Sequence, residues 1–258
     1  MRFLSTSLRN LVSNNSSDMK IIRHIPNTIT SMNLLCGVLG VIFTFQGELN
    51  TAFYLMIAAA VCDFLDGLAA RLLKAFSPLG KELDSLADLI SFGMLPAIML
   101  HRRMIEGGMT GFISFIPLLI AVFSALRLAK FNIDDRQTEN FLGLPTPACA
   151  IWCGSLIYAG DNGIASSVLL LHNHYFIPIV SVVLSLLLIS EIPMLSMKFK
   201  KGSAYNNLRL IFIAICAAFA IIIVALGIHW SFIPLLIFTL YIVYNLVRAL
   251  FTIQLIRS

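Results

Sequence analysis

Residues 63–88 read DFLDGLAARLLKAFSPLGKELDSLAD, and their setting decides the fold. Twelve largely apolar residues, Thr51 to Cys62, run straight into Asp63, and twelve more, Leu89 to Leu100, follow Asp88. Four aspartates and a glutamate thus stand between two hydrophobic runs. The rest of the chain is equally apolar. Of its 258 residues, 59% are hydrophobic and only 12% charged, with a mean hydropathy of +0.90. A soluble domain carries roughly a quarter charged residues. Long apolar runs recur throughout, so the chain reads as an all-α, polytopic membrane helix bundle with no soluble domain.

Hydropathy places eight spans at 28–46, 51–75, 81–101, 110–130, 145–161, 174–197, 206–227 and 230–253. Basic residues orient them. With the N-terminus cytoplasmic, the inner segments hold Arg2, Arg9, Lys20 and Arg23, then Arg71, Lys74 and Lys81, then Arg127, Lys130 and Arg136. Lys198, Lys200, Lys201 and Arg209 follow on the same side, and Arg248 and Arg257 close the series. Of the 18 basic residues, only Arg102 and Arg103 fall outside. That bias predicts both termini on the cytoplasmic side. It also explains the net charge of +5 without a nucleic-acid partner. Residues 1–25 interleave bases with Phe3, Leu4, Leu8, Leu11 and Val12, which suits either an amphipathic surface segment or a flexible tail. No cleavable leader is expected there, because the first long apolar run begins near Thr28. The five scattered cysteines read as small packing residues.

This topology makes Asp63 to Asp88 the cytoplasmic end of a helical hairpin. At 3.6 residues per turn, Asp63, Asp66 and Ala70 share one face with Gly67 beside them, and Gly80, Asp84 and Asp88 share a face of the next helix. If those faces meet, four carboxylates converge and repel strongly. Oxygen-only ligands call for hard divalent cations such as Mg²⁺ or Mn²⁺, and two cations in such a cradle suit phosphoryl chemistry. Gly67 and Gly80 leave room for a phosphate, and Arg71 offers it a cation. An ion pathway is the alternative use of intramembrane carboxylates. The apolar outer halves of both helices argue against a through-path.

The pattern Asp63-x2-Asp66-Gly67-x2-Ala70-Arg71-x8-Gly80-x3-Asp84-x3-Asp88 resembles the signature of the CDP-alcohol phosphotransferase family, with every motif position filled. The resemblance implies a six-helix core, a homodimer, and transfer of a phosphatidyl or phospho-alcohol group from a CDP-linked donor with release of CMP. It implies that Asp63, Asp66, Asp84 and Asp88 hold two divalent cations and that Asp88 is the general base. It also implies that Asp63, Gly67, Ala70, Arg71 and Gly80 line the CDP site. On that reading residues 26–200 form the core, 1–25 a cytoplasmic N-terminal segment and 201–258 two added helices.

Three further stretches, IPNTITSMNLLCG (25–37), LDSLADLISFGMLPA (83–97) and LRLAKFNIDDRQTENFLGLPTPACA (126–150), are similar to the CDP-diacylglycerol–serine O-phosphatidyltransferases of bacteria and archaea. SEIPMLSMKFK (190–200) extends the similarity. They imply L-serine as acceptor, with glycerol 3-phosphate or an inositol phosphate as alternatives. They also imply a bacterial or archaeal cytoplasmic membrane. Serine is a zwitterion, so Arg127, Lys130 and Arg136 are candidates for its carboxylate and Asn132, Asp134 and Asp135 for its ammonium. Boundary snorkelling is the plainer use of Arg127 and Lys130. Asn27 and Thr30 either start the first span or hydrogen-bond the donor headgroup. His172, His174, Glu48 and Glu106 fall in external loops, and Glu82 lies off the carboxylate face; none is expected at the site.

Overall fold

A computed structural model describes residues 2–133, 141–162, 171, 173, 175–195, 206–227 and 229–257, with side chains left out of account at 2–23, 141, 207–209 and 250–257. Helix α1 (Arg2–Phe45) and helix α2 (Leu49–Leu72) are joined by a tight turn at Gly47, whose φ is +84°. The acidic hairpin follows. Helix α2 ends at Leu72, and Lys74 reverses the chain with φ +50°. Ser77 then starts helix α3 (Pro78–Asp88): its hydroxyl accepts from the Gly80 N–H at 3.0 Å, and Pro78 occupies the first turn, where no N–H is needed.

Helix α3 does not stop at Asp88. It widens into a π-helical turn over Leu89–Met94 and continues as helix α4 (Leu95–Glu106). Pro96 near the start of α4 cannot donate to the ladder, which favours a break at this point. A 3₁₀ turn (Phe112–Leu118) leads into helix α5 (Leu119–Ile133). Helices α6 (Thr146–Asp161), α7 (Phe176–Ile189), α8 (Asn206–Ala225) and α9 (Phe232–Arg257) complete the bundle.

Each expected span therefore meets a helix. Among the described residues, His24–Phe45, Leu49–Leu72, Pro78–Glu106, Phe112–Ile133 and Phe232–Ala249 are long and apolar enough to cross a membrane; Phe176–Ile189 and Leu210–Ala225 are shorter apolar helices. The sixth span is shorter than the 174–197 read from hydropathy. Ser190 turns extended (φ −63°, ψ 155°). Pro193 has no N–H to continue a helix, so β2 (Pro193–Met194) pairs antiparallel with β1 (Phe141–Leu142).

Phe92, Leu95, Met99 and Leu100 from the hairpin's return arm pack with Met56 of α2, Ile120 of α5 and Leu156 and Ile157 of α6, all essentially without exposure. The arm therefore carries the carboxylates at one end and the core at the other. Helix α1 crosses the π turn so closely that a Cβ on Gly37 would collide with the Ser91 side chain and stand 3.0 Å from its Cα. The Ser91 hydroxyl donates to the Asn33 carbonyl at 3.0 Å in the same contact. At the opposite end of the bundle, Arg103 pairs with Asp161 at 3.0 Å, and Arg102 with Glu106 at 2.9 Å. The two bases that break the charge bias are thus matched by acids, which gives Glu106 an ion-pairing role. Gly37→Ala is expected to lower stability by about 1–3 kcal/mol through overpacking against the π turn, read as a fall in the thermal unfolding midpoint in detergent.

Candidate active site

Helices α1, α2 and α3 bring the motif together. Ligand oxygens of Asp63, Asp66 and Asp84 lie within 4.8 Å of one another. At that distance two carboxylates repel by roughly 3–4 kcal/mol, taking an effective dielectric of about 20. Asp66 is buried, while Asp63 and Asp84 are half-buried. Asp88, one turn beyond Asp84, stands within the electrostatic reach of Asp63, Asp84 and Asp66. The donor set is all oxygen, compact and rich in negative charge, so it fits a hard divalent cation.

Helix α1 supplies the neutral partners. Thr30 is buried and donates its hydroxyl to Asp66 Oδ2 at 2.6 Å while also contacting the Pro26 carbonyl at 3.0 Å. Asn27 and Thr30 lie inside α1, so neither begins the helix. Asn33, fully buried, donates Nδ2 to Asp88 Oδ1 at 3.4 Å. That bond sets the amide orientation and leaves Asn33 Oδ1 with no hydrogen-bond partner among the described residues. Asn33 was missed in the sequence. The signal that finds it is spacing: Asn27, Thr30 and Asn33 recur every three residues and so share one side of α1.

A cavity of about 220 Å³ opens beside the carboxylates. Asn27, Thr30, Asp66, Gly67, Ala70, Gly80 and Asp84 line it, together with Ser77 and Lys81 from the hairpin turn. The motif glycines have a visible purpose here. A Cβ on Gly80 would fall 2.8 Å from Asn27 Oδ1 and 3.0 Å from Ser77 Oγ, closing the wall. Arg71 folds back so that its Nε donates to the Gly67 carbonyl at 2.9 Å, which holds its head beside the cavity rim.

Of the four basic and polar residues selected for an acceptor, the three described ones make separate contacts. Arg127 is 8% exposed, donates Nη1 to Thr146 Oγ1 at 2.7 Å, and stands within the electrostatic reach of Asp88; its Nε has no partner among the described residues. Lys130 pairs with Glu191 at 3.3 Å. Asn132 donates to Ser85 Oγ at 2.9 Å, and its carbonyl accepts from Lys81 Nζ at 3.0 Å. Arg136, with Asp134 and Asp135, lies outside the described residues.

Residues 23–187 match the CDP-alcohol phosphatidyltransferase family, and the chain belongs to it. The chain is 34% identical over 211 residues to the CDP-diacylglycerol–serine O-phosphatidyltransferase of Mycobacterium leprae, covering 78% of this chain and 67% of the relative. The enzyme of the same name from Bacillus subtilis is 35% identical over 130 residues, or 49% of this chain and 71% of the relative. The archaetidylserine synthase of Methanothermobacter thermautotrophicus is 34% identical over 148 residues, or 56% of this chain and 63% of the relative.

Asp66→Asn is expected to weaken Mn²⁺ binding at least tenfold in a paramagnetic-resonance titration of the purified protein. Glu82→Gln, on the exposed side of α3, should leave that titration unchanged.

Proposed function

We propose that this protein transfers the phosphatidyl group of CDP-diacylglycerol to the hydroxyl of L-serine, forming phosphatidylserine and CMP. The observation that carries the reading is the convergence of the aspartates beside a cavity walled by Asn27, Gly67, Ala70 and Gly80. In this reading Asp63, Asp66, Asp84 and Asp88 hold two divalent cations, Mg²⁺ or Mn²⁺. Bound there, the cations would neutralise the donor's diphosphate and stabilise the leaving CMP.

The remaining roles belong to the chain's own groups. Gly67, Ala70 and Gly80 let the nucleotide approach the helix backbones, with Asp63, Asn27 and Thr30 beside it. Arg71 meets phosphate oxygens at the rim. Asp88 accepts the proton of the serine hydroxyl, and Asn33 Nδ2 orients the carboxylate that does so. The hydroxyl oxygen then attacks the lipid-side phosphorus and the bond to CMP breaks. Near Asp88 the site offers complementary groups for a zwitterion: Arg127 Nε, a buried donor, for the carboxylate, and Asn33 Oδ1, a buried acceptor, for the ammonium. One buried guanidinium suits a single carboxylate better than a doubly charged phosphate, because Lys130 is engaged by Glu191. Lys130 and Asn132 then belong to the rim of the acceptor's entrance rather than to its floor.

The basic-residue bias puts this end of the hairpin on the cytoplasmic side, with serine arriving from the cytosol and the lipid sliding in between helices. A homodimer completes the reading. The test is CMP release by purified protein in detergent, with CDP-diacylglycerol, Mg²⁺ or Mn²⁺, and a panel of alcohols. Serine should support release and glycerol 3-phosphate should not; the reverse pattern would overturn the acceptor while keeping the family chemistry. Asp88→Asn should reduce turnover at least a thousandfold. Asn33→Ala should raise the KM for serine about tenfold or more, by leaving a charged ammonium without its acceptor.

A further inference from the structure

The region after residue 187 lies beyond the family match, yet it contains a buried polar junction. Asn245, in the middle of α9, has no exposure, and its Oδ1 accepts the Leu195 N–H at 2.7 Å. One turn earlier, Tyr241 donates its hydroxyl to the Leu195 carbonyl at 3.1 Å. Asn245 Nδ2 donates to the Tyr241 carbonyl at 2.7 Å, which holds the amide in that orientation. Both backbone groups of Leu195, a residue that is itself 1% exposed, are thereby gripped by a single helix.

Leu195 is the residue after β2, and the connection runs onward through main-chain bonds. β2 pairs with β1 through Phe141 and Met194 and through Leu142 and Pro193. Gly143 donates its N–H to the Ile192 carbonyl at 3.0 Å, and Leu144 donates to the Leu187 carbonyl at 2.9 Å. Gly143 adopts φ +75°, and a Cβ there would meet the Ser190 carbonyl oxygen at 2.8 Å, so only glycine lets the two segments lie this close. Three residues later comes Thr146, whose hydroxyl holds Arg127.

We infer that Asn245 and Tyr241 are positioning residues for the acceptor site, clamping Leu195 so that the β1–β2 pair holds Thr146 against the Arg127 guanidinium. The inference rests on the proposed role of Arg127. A two-residue strand pair is too short to hold itself, and its order must come from what it packs on. Here that support is α9. A buried guanidinium with a free Nε binds a carboxylate well only if its plane is fixed beforehand, since otherwise the ligand must supply the ordering. Tyr241 also lies within the electrostatic reach of Arg127, so the clamp and the guanidinium share one neighbourhood.

The experiment uses the full chain in detergent and measures kcat, the KM for serine and the KM for CDP-diacylglycerol separately. Asn245→Ala should raise the KM for serine about three- to tenfold while the KM for CDP-diacylglycerol stays within twofold. Tyr241→Phe preserves volume and should show the same split in milder form, which covers the case in which Asn245→Ala fails to fold. Thr239→Val removes a different α9 bond, the one accepted from Trp152 Nε1 at 2.9 Å, and should leave both KM values unchanged. Equal rises in both KM values, a serine KM that does not move, or the same effect from Thr239→Val would each overturn the inference. Wild-type protein that uses another alcohol and not serine would instead overturn the serine reading, and the clamp is then scored on the KM of that alcohol.

Discussion

The fold is organised around mutual repulsion. Ligand oxygens of three carboxylates lie within 4.8 Å of one another at the end of an apolar hairpin, and Asp88 adds a fourth negative charge next to them. Such a cluster persists only where the surroundings hold the side chains in place and something positive arrives to compensate. The Thr30 and Asn33 side chains do part of the first task from α1, accepting none of the charge but fixing the direction of Asp66 and Asp88. The core does the rest. Leu95, Met99 and Leu100 lock the hairpin's return arm into the bundle, so the carboxylates cannot relax apart by tilting α3. Gly80 keeps the cavity wall open, because a Cβ there would press on Asn27.

Much of this was legible in the sequence, for definite reasons. Apolar length located the eight spans, since a helix must satisfy its own backbone in lipid. The three- and four-residue spacing of Asp63, Asp66, Asp84 and Asp88 placed each pair on one face. Convergence of the two faces needed only a short turn, and Ser77-Pro78 supplies one. Asn27 and Thr30 were legible as polar residues beginning an apolar span, but the role in starting a helix that the sequence also allowed them is not one they have. Helix α1 already runs through them.

What the sequence hid depends on contacts between segments far apart in the chain. Lys130 and Asn132 look as available as Arg127 in a linear reading. The structure commits Lys130 to Glu191 and Asn132 to Ser85, and leaves Arg127 as the buried cation within the reach of Asp88. The value of Asn33 lies in facing Asp88, 55 residues away, a contact that the linear sequence does not show. The π turn after Asp88 and the strand pair that receives Leu195 have only Pro96 and Pro193 as local hints, and their form depends on packing.

The account stands on the claim that the aspartate cluster is a cation cradle for a nucleotide diphosphate. Calorimetric titration of the purified protein with CDP, in the absence of any acceptor alcohol, tests it directly. CDP should bind in the presence of Mg²⁺ or Mn²⁺, lose that binding when the cation is chelated, and regain it when the cation is restored. CDP that binds with the same affinity in chelator as in divalent cation would contradict the account.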